Sequence, residues 1–275
     1  MTLRNGLIVA LAIALSFLAV LNAPRFGGRY ILSDWDRDAV MHSGETPQTA
    51  RTITILFVGN SFTSGNDLAA MLVNIAAADP GNPVQLSVKA VTYPGADLRS
   101  MLKQTDALAW AQANRPDYVV LQERSLWYSL PRWVQQAREN ALDWNYALSP
   151  LKAQPILFET WPDLDGAQSY TDRSYCCYGK TFKEMSAEAQ RATAALAQEL
   201  GMPVVRVARS YSFAVQAGAT DLYQRDLHHA SYAGTYLAAL TFYRYFTHRS
   251  GAETTYRPFG MSAAAAAVLV QAVNR

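Results

Sequence analysis

From Arg51 onward the chain alternates short apolar runs with longer stretches whose apolar residues recur every three or four positions. Thr52 to Val58 reads as a buried strand and stops abruptly at Gly59-Asn60-Ser61. Asn66 and Asp67 are positioned to cap a helix whose apolar residues Leu68, Met71, Leu72, Ile75 and Ala76 share one face, and Pro80-Gly81 ends it. Val84, Leu86 and Val88 alternate with Gln85, Ser87 and Lys89, which predicts a half-buried second strand running to Val91. After the Tyr93-Pro94-Gly95 turn, Leu98, Met101, Leu102 and Thr105 predict another helix, and Tyr118 to Gln122 a third strand. An aromatic-rich stretch, Ser125 to Ser149, carries a helix after Pro131. Pro155 to Thr160 is a fourth strand, Asp163 to Lys180 a polar loop, Thr181 to Leu200 a helix closed by Gly201, and Pro203 to Ala208 a fifth strand. Tyr232 to His248 and Met261 to Val273 supply two further helices. Strands alternating with helices in this way predict an α/β fold with a parallel sheet covered on both faces.

The first fifty residues follow no such pattern. Gly6 to Leu21 is uncharged and follows Arg4, which reads as a secretory signal or an N-terminal membrane anchor over residues 1–23; the small Ala23 offers a cleavage point, whereas Pro24 disfavours cleavage. Residues 24–50 mix charge, Gly and Pro as a tether, leaving 51–275 as one catalytic-sized domain. The expected location is therefore exported: periplasmic, extracellular or held at the outer side of the cytoplasmic membrane. The balance of 24 Lys plus Arg against 22 Asp plus Glu, without a long basic block, argues against a nucleic-acid partner.

The two cysteines, Cys176 and Cys177, are adjacent. Neighbouring Cα atoms lie about 3.8 Å apart, too close for an ordinary bridge, so the pair reads as two loop thiols or a strained vicinal disulfide. No spacing of His and Cys suggests zinc, and no cofactor or metal is expected.

Ser61 stands at the carboxyl end of a strand and before a helix, where open α/β sheets place their chemistry, although turn chemistry alone also accounts for Gly-Asn-Ser. A serine hydroxyl attacks only when a base takes its proton, and that base needs a group to orient it. Of the four histidines, His42 falls in the tether and His248 at a helix end. Asp226-Leu227-His228-His229 remains: a carboxylate three residues ahead can fold back onto Nδ1 and leave Nε2 free, which selects His229, with His228 directed to solvent or the rim.

Gly59-Asn60-Ser61 after the first strand, Gly95 after the second, a carboxamide (Gln122) after the third and Asp226-x-x-His229 before a long helix resemble the ordered blocks of the SGNH (GDSL-type) hydrolases, over roughly Thr52 to His248. The resemblance implies a three-layer α/β/α sandwich with a flavodoxin-like parallel sheet of about five strands. It implies Ser61 as nucleophile, His229 as base and then acid, Asp226 as its orienting partner, and the Ser61 and Gly95 N–H groups as oxyanion donors. The family's third donor is usually an asparagine; here Gln122 offers the same group on a longer stem. Asn60 and Phe62 replace the Asp and Leu of the family name.

The implied reaction is cleavage of small acyl esters, acetyl foremost, on carbohydrate, with envelope O-acetyl transfer and a silent envelope-binding role as alternatives. Trp127, Trp161 and the Tyr170 to Tyr178 loop are candidate sugar-facing rings, although packing explains such aromatics as well.

Overall fold

The computed structural model describes residues 51–175 and 177–275. The readings of residues 1–50, signal or anchor and tether, lie outside the described residues, as does Cys176 of the cysteine pair; Cys177 is buried. No described helix is long and apolar enough to cross a membrane.

Five parallel strands, β1 (Arg51–Gly59), β2 (Val84–Thr92), β3 (Tyr118–Leu121), β4 (Gln154–Glu159) and β5 (Val204–Arg206), form one sheet in the order β2-β1-β3-β4-β5. Chain order reverses between β1 and β3, so the crevice beyond their carboxyl ends is the natural ligand position of such a sheet. β1 lies inside the sheet, between β2 and β3, and its last residues are buried on both sides. Ile53, Ile55 and Phe57 face one layer together with Val120, Ile156, Phe158 and Val205, while Leu56 and Val58 face the other with Val119 and Leu121. The period of two along each strand divides the core in this way.

The helices follow in chain order: α1 (Ser61–Ser64), α2 (Leu68–Ala77), α3 (Leu98–Gln104), α4 (Ala107–Asn114), α5 (Val134–Leu148), α6 (Gln168–Thr171), α7 (Phe182–Leu200), α8 (Val207–Gln216), α9 (Tyr232–Thr247) and α10 (Ala263–Val273). Residues of α2, α8, α9 and α10 join the first face, those of α3, α4 and α5 the second, and α7 closes over β4 with part of α5. α9 is buried almost all round, and Phe242 meets Phe57 edge-on at 4.8 Å between ring centres.

Two local differences from the sequence reading have physical causes. Pro203 to Ala208 is not one strand: β5 ends at Arg206, and Val207, Ala208, Tyr211 and Ala214 take helical spacing to bury one face of α8. Asp67 caps α2 by accepting from the Ala70 N–H at 3.1 Å, whereas Asn66 turns away to a different task described below.

Candidate active site

The β1–β2 register pairs Gly59 with Thr92, and the β1–β3 register pairs Val58 with Leu121. Residues 60–61, 93–96 and 122–123 therefore leave the sheet at one level. Ser61 opens α1, where the first N–H groups have no acceptor within the helix.

Three carboxamides hold these segments together. Gln122 is wholly buried; its Oε1 accepts from the Asn60 N–H at 2.8 Å and the Thr63 hydroxyl at 2.9 Å, and its Nε2 donates to the Glu123 carbonyl. Asn60, also buried, accepts from the Phe62 N–H at 3.1 Å through Oδ1 and donates through Nδ2 to the Ala96 carbonyl at 3.0 Å. The turn after β2 is thereby tied to the turn after β1. Gly95 sits in that turn at φ +67°, a conformation that favours glycine. Asn66, itself left-handed at φ 51°, reaches from the other side of Ser61 to the Ala230 carbonyl and the Thr235 hydroxyl, both at 2.9 Å.

Asp226, His228 and His229 lie on a tight loop closed by the Tyr223–Ala230 bridge, with the Gln224 N–H donating to the His229 carbonyl at 2.8 Å and the Ser231 N–H to the Leu222 carbonyl at 3.0 Å. Ser231 then caps α9. This loop reaches Ser61: His229 Nε2 is 3.0 Å from Ser61 Oγ, and His229 Nδ1 is 2.7 Å from Asp226 Oδ2. The second Asp226 oxygen accepts from the His228 and His229 N–H groups, each at 3.0 Å. Burial raises the Asp226 carboxyl, but the His229 hydrogen bond and those two N–H groups outweigh it and hold the carboxyl below its ordinary value. A carboxylate fixed on Nδ1 leaves Nε2 to accept a proton from the hydroxyl, the polarity an acyl-transfer site requires.

The structure thus brings Ser61, His229 and Asp226 together as the spacing anticipates. Gln122 is placed differently. Its side chain has no exposure and its Oε1 faces Asn60, so the carboxamide is a strut behind Ser61 rather than a third donor toward a substrate oxygen. Beside it, Glu123 is buried; burial pushes its carboxyl up to about 7 against hydrogen bonds from Asn140 and the Arg124 and Leu98 N–H groups.

No family model and no curated protein match the chain. Solved structures do. A DUF4886 family protein from Bacteroides uniformis superposes with a TM-score of 0.67 at 18% identity, over 81% of this chain and 93% of the other. A protein assigned to the SGNH hydrolases from Slackia heliotrinireducens gives 0.56 at 27% identity, over 72% of this chain and 100% of the other. An acetylxylan esterase from Geobacillus stearothermophilus gives 0.53 at 17% identity, over 71% and 94%. The fold is that of the SGNH hydrolases.

Within this SGNH fold most of the candidate sugar-facing rings are already engaged. Trp161 is buried with one face on Phe62 (4.6 Å) and the other on Tyr211 (4.8 Å), and Trp127 stacks on Trp133 (4.6 Å) with the Arg124 guanidinium 5.0 Å from its ring centre. Tyr170 is buried as well, while Tyr175 and Tyr178 are exposed on the loop before α7, Tyr178 with the Arg173 guanidinium 5.6 Å from its ring centre.

Proposed function

We propose that the chain is a serine ester hydrolase acting on small acyl esters. The observation that carries this reading is the continuous line of hydrogen-bonding distances from Ser61 Oγ through His229 to Asp226. Ser61 Oγ attacks the ester carbonyl as its proton passes to His229 Nε2. The tetrahedral oxyanion is met by the N–H groups of Ser61 and Gly95. His229 returns the proton to the leaving alkoxide, and the acyl group stays on Ser61. His229 then takes a proton from water as it attacks the acyl-enzyme, and gives that proton back to Ser61 Oγ as the ester bond to serine breaks and the acid leaves. Asp226 keeps Nδ1 protonated and the ring aligned throughout.

Acetyl groups on carbohydrate are the substrate class we favour, supported by the structural likeness to an acetylxylan esterase. The exposed rings of Tyr175 and Tyr178 are the sugar-facing surfaces that this reading would use. Treatment with a fluorophosphonate followed by intact-mass measurement tests the chemistry: one adduct is expected on the wild type and none on Ser61→Ala. A wild type that takes up no adduct while a control serine esterase does would sink the reading. Acetate release from acetylated xylan oligosaccharides, compared with p-nitrophenyl acetate, tests the substrate class.

A further inference from the structure

Selecting His229 for the hydroxyl leaves His228 without a task, yet His228 is the more heavily anchored of the two. Its Nδ1 lies 2.6 Å from Asp163 Oδ1, and Asp163 is buried with its other oxygen accepting from the Ser169 hydroxyl. The chain around Asp163 is pinned in turn: the Tyr170 hydroxyl donates to the Asp163 carbonyl at 2.9 Å, the Leu164 N–H to the Leu227 carbonyl at 2.9 Å, and Trp161 Nε1 to the His228 carbonyl at 3.1 Å. The imidazole stands edge-on to Phe62 at 4.9 Å and to His229 at 4.6 Å, against the residue after Ser61 and the ring that faces Ser61. It keeps 38% side-chain exposure, and Nε2 has no partner among the described residues.

Burial by itself would drive the proton off this ring; the Asp163 hydrogen bond and charge, with a further pull from Asp226, outweigh it and raise the pKa. The two carboxylates near His228 already have partners, Asp163 in His228 and Ser169, Asp226 in His229 and two backbone N–H groups. While protonated, the ring presents its exposed Nε2 edge to a ligand as an N–H donor with positive charge, because Nδ1–H is already given to Asp163.

We propose that His228, held by Asp163, is a specificity residue of the site whose free Nε2–H binds a negatively charged oxygen group, carboxylate or phosphate, carried by the ester substrate next to the scissile bond. The proposal rests on the ester-hydrolase reading for its kinetic readout. A charged hydrogen bond at such a site corresponds to about a tenfold preference.

The test compares kcat/KM for matched ester pairs with and without a carboxylate: p-nitrophenyl succinate against p-nitrophenyl butyrate on the acyl side, and 4-acetoxybenzoate against its methyl ester on the alcohol side. Selectivity for the anionic member, which cancels any change common to both, should fall about tenfold in His228→Gln on one of the pairs, and Asp163→Asn should act in the same direction. The wild-type preference should shrink at high salt. Unchanged selectivity on both pairs, with both members slowed together, would show that His228 is only structural or acts in the chemistry, and would overturn the proposal. A second measurement needs no turnover and no His228 variant: histidine-labelled Ser61→Ala is titrated with 4-hydroxybenzoate and with succinamate, each against its neutral counterpart, methyl 4-hydroxybenzoate and butyramide. The His228 imidazole resonances should move with the anion alone. No movement overturns the proposal, whereas a wild type inactive on every ester, with that movement present, counts against the hydrolase reading only.

Discussion

The Asn60 side chain donates to the Ala96 carbonyl across a 3.0 Å hydrogen bond that joins the turn bearing Ser61 to the turn bearing Gly95. A carboxylate at this position would keep the bond from the Phe62 N–H but would set an anionic oxygen against the Ala96 carbonyl. Asn60→Asp is therefore expected to separate the two backbone donors and lower kcat for p-nitrophenyl acetate at pH 8 by 10-fold to about 100-fold, short of the loss of a whole oxyanion donor, with little change in KM. A loss confined to KM would contradict the assignment of Asn60 to positioning.

Gly59 is held to glycine by its neighbours rather than by its backbone angles. A Cβ there would lie 2.6 Å from the Thr63 hydroxyl and 2.9 Å from Gln122 Cβ, inside the strut that supports Ser61. Gly59→Ala should destabilise the fold by about 2 kcal/mol, the range of overpacking in a close-packed core, and should reduce activity in the molecules that still fold. Urea unfolding and active-site titration of the same sample measure the two effects separately.

Glu159, buried at the end of β4, makes stability depend on pH. Burial pushes its carboxyl from 4.5 up to about 7, against a hydrogen bond from the Arg209 N–H and the attraction of Arg206 and Arg209. The unfolded chain gives up this proton near the ordinary carboxylate range while the folded chain keeps it, so stability falls as pH rises across that window and levels off above it. Glu159→Gln should cut the stability difference between pH 5 and pH 8 by about 2 kcal/mol. Equal differences in the two proteins, by chemical denaturation, would show that Glu159 ionises normally in the fold.

Asp79 joins the end of α2 to the end of α9. Its carboxylate accepts from Arg249 Nε at 2.8 Å, Arg249 Nη2 at 2.9 Å, the Tyr243 hydroxyl at 2.5 Å and the Gly81 N–H at 2.9 Å. Removing the charge while leaving Arg249 in place, where Glu253 still pairs with it at 2.6 Å, is expected to cost about 2 kcal/mol for Asp79→Asn, since the buried hydrogen bonds from Tyr243 and Arg249 lose their charged acceptor. Thermal unfolding reads this directly, and reaction of Ser61 with fluorophosphonate should survive at temperatures where the variant is folded.

What was legible in the sequence was what neighbouring residues decide among themselves. The run into Gly59, the alternation in β2 and the Asp226 to His229 spacing each act over a few positions, and each has its counterpart in the structure. The edge strand β5 is shorter than its sequence pattern predicts because Val204, Val205, Val207 and Ala208 form an apolar string interrupted only by Arg206; only the packing of Tyr211 and Ala214 shows where the string becomes helical. α4 leaves little trace in the sequence because it buries little beyond Ala107 and Ala111 and carries almost no amphipathic signal. Gln122 has the chemistry of a spare amide donor, but its environment is decided by Asn60, 62 positions away. His228 and Asp163 are 65 positions apart, and nothing local to either announces the other.

The Ser61–His229 contact closes a span of 168 residues. All the later strands lie in the chain between the hydroxyl and its imidazole, and contacts of such long range are costly in chain entropy. A chain truncated before His229 thus carries an ordinary serine, and reactivity toward a fluorophosphonate reports that the two ends of this span have met.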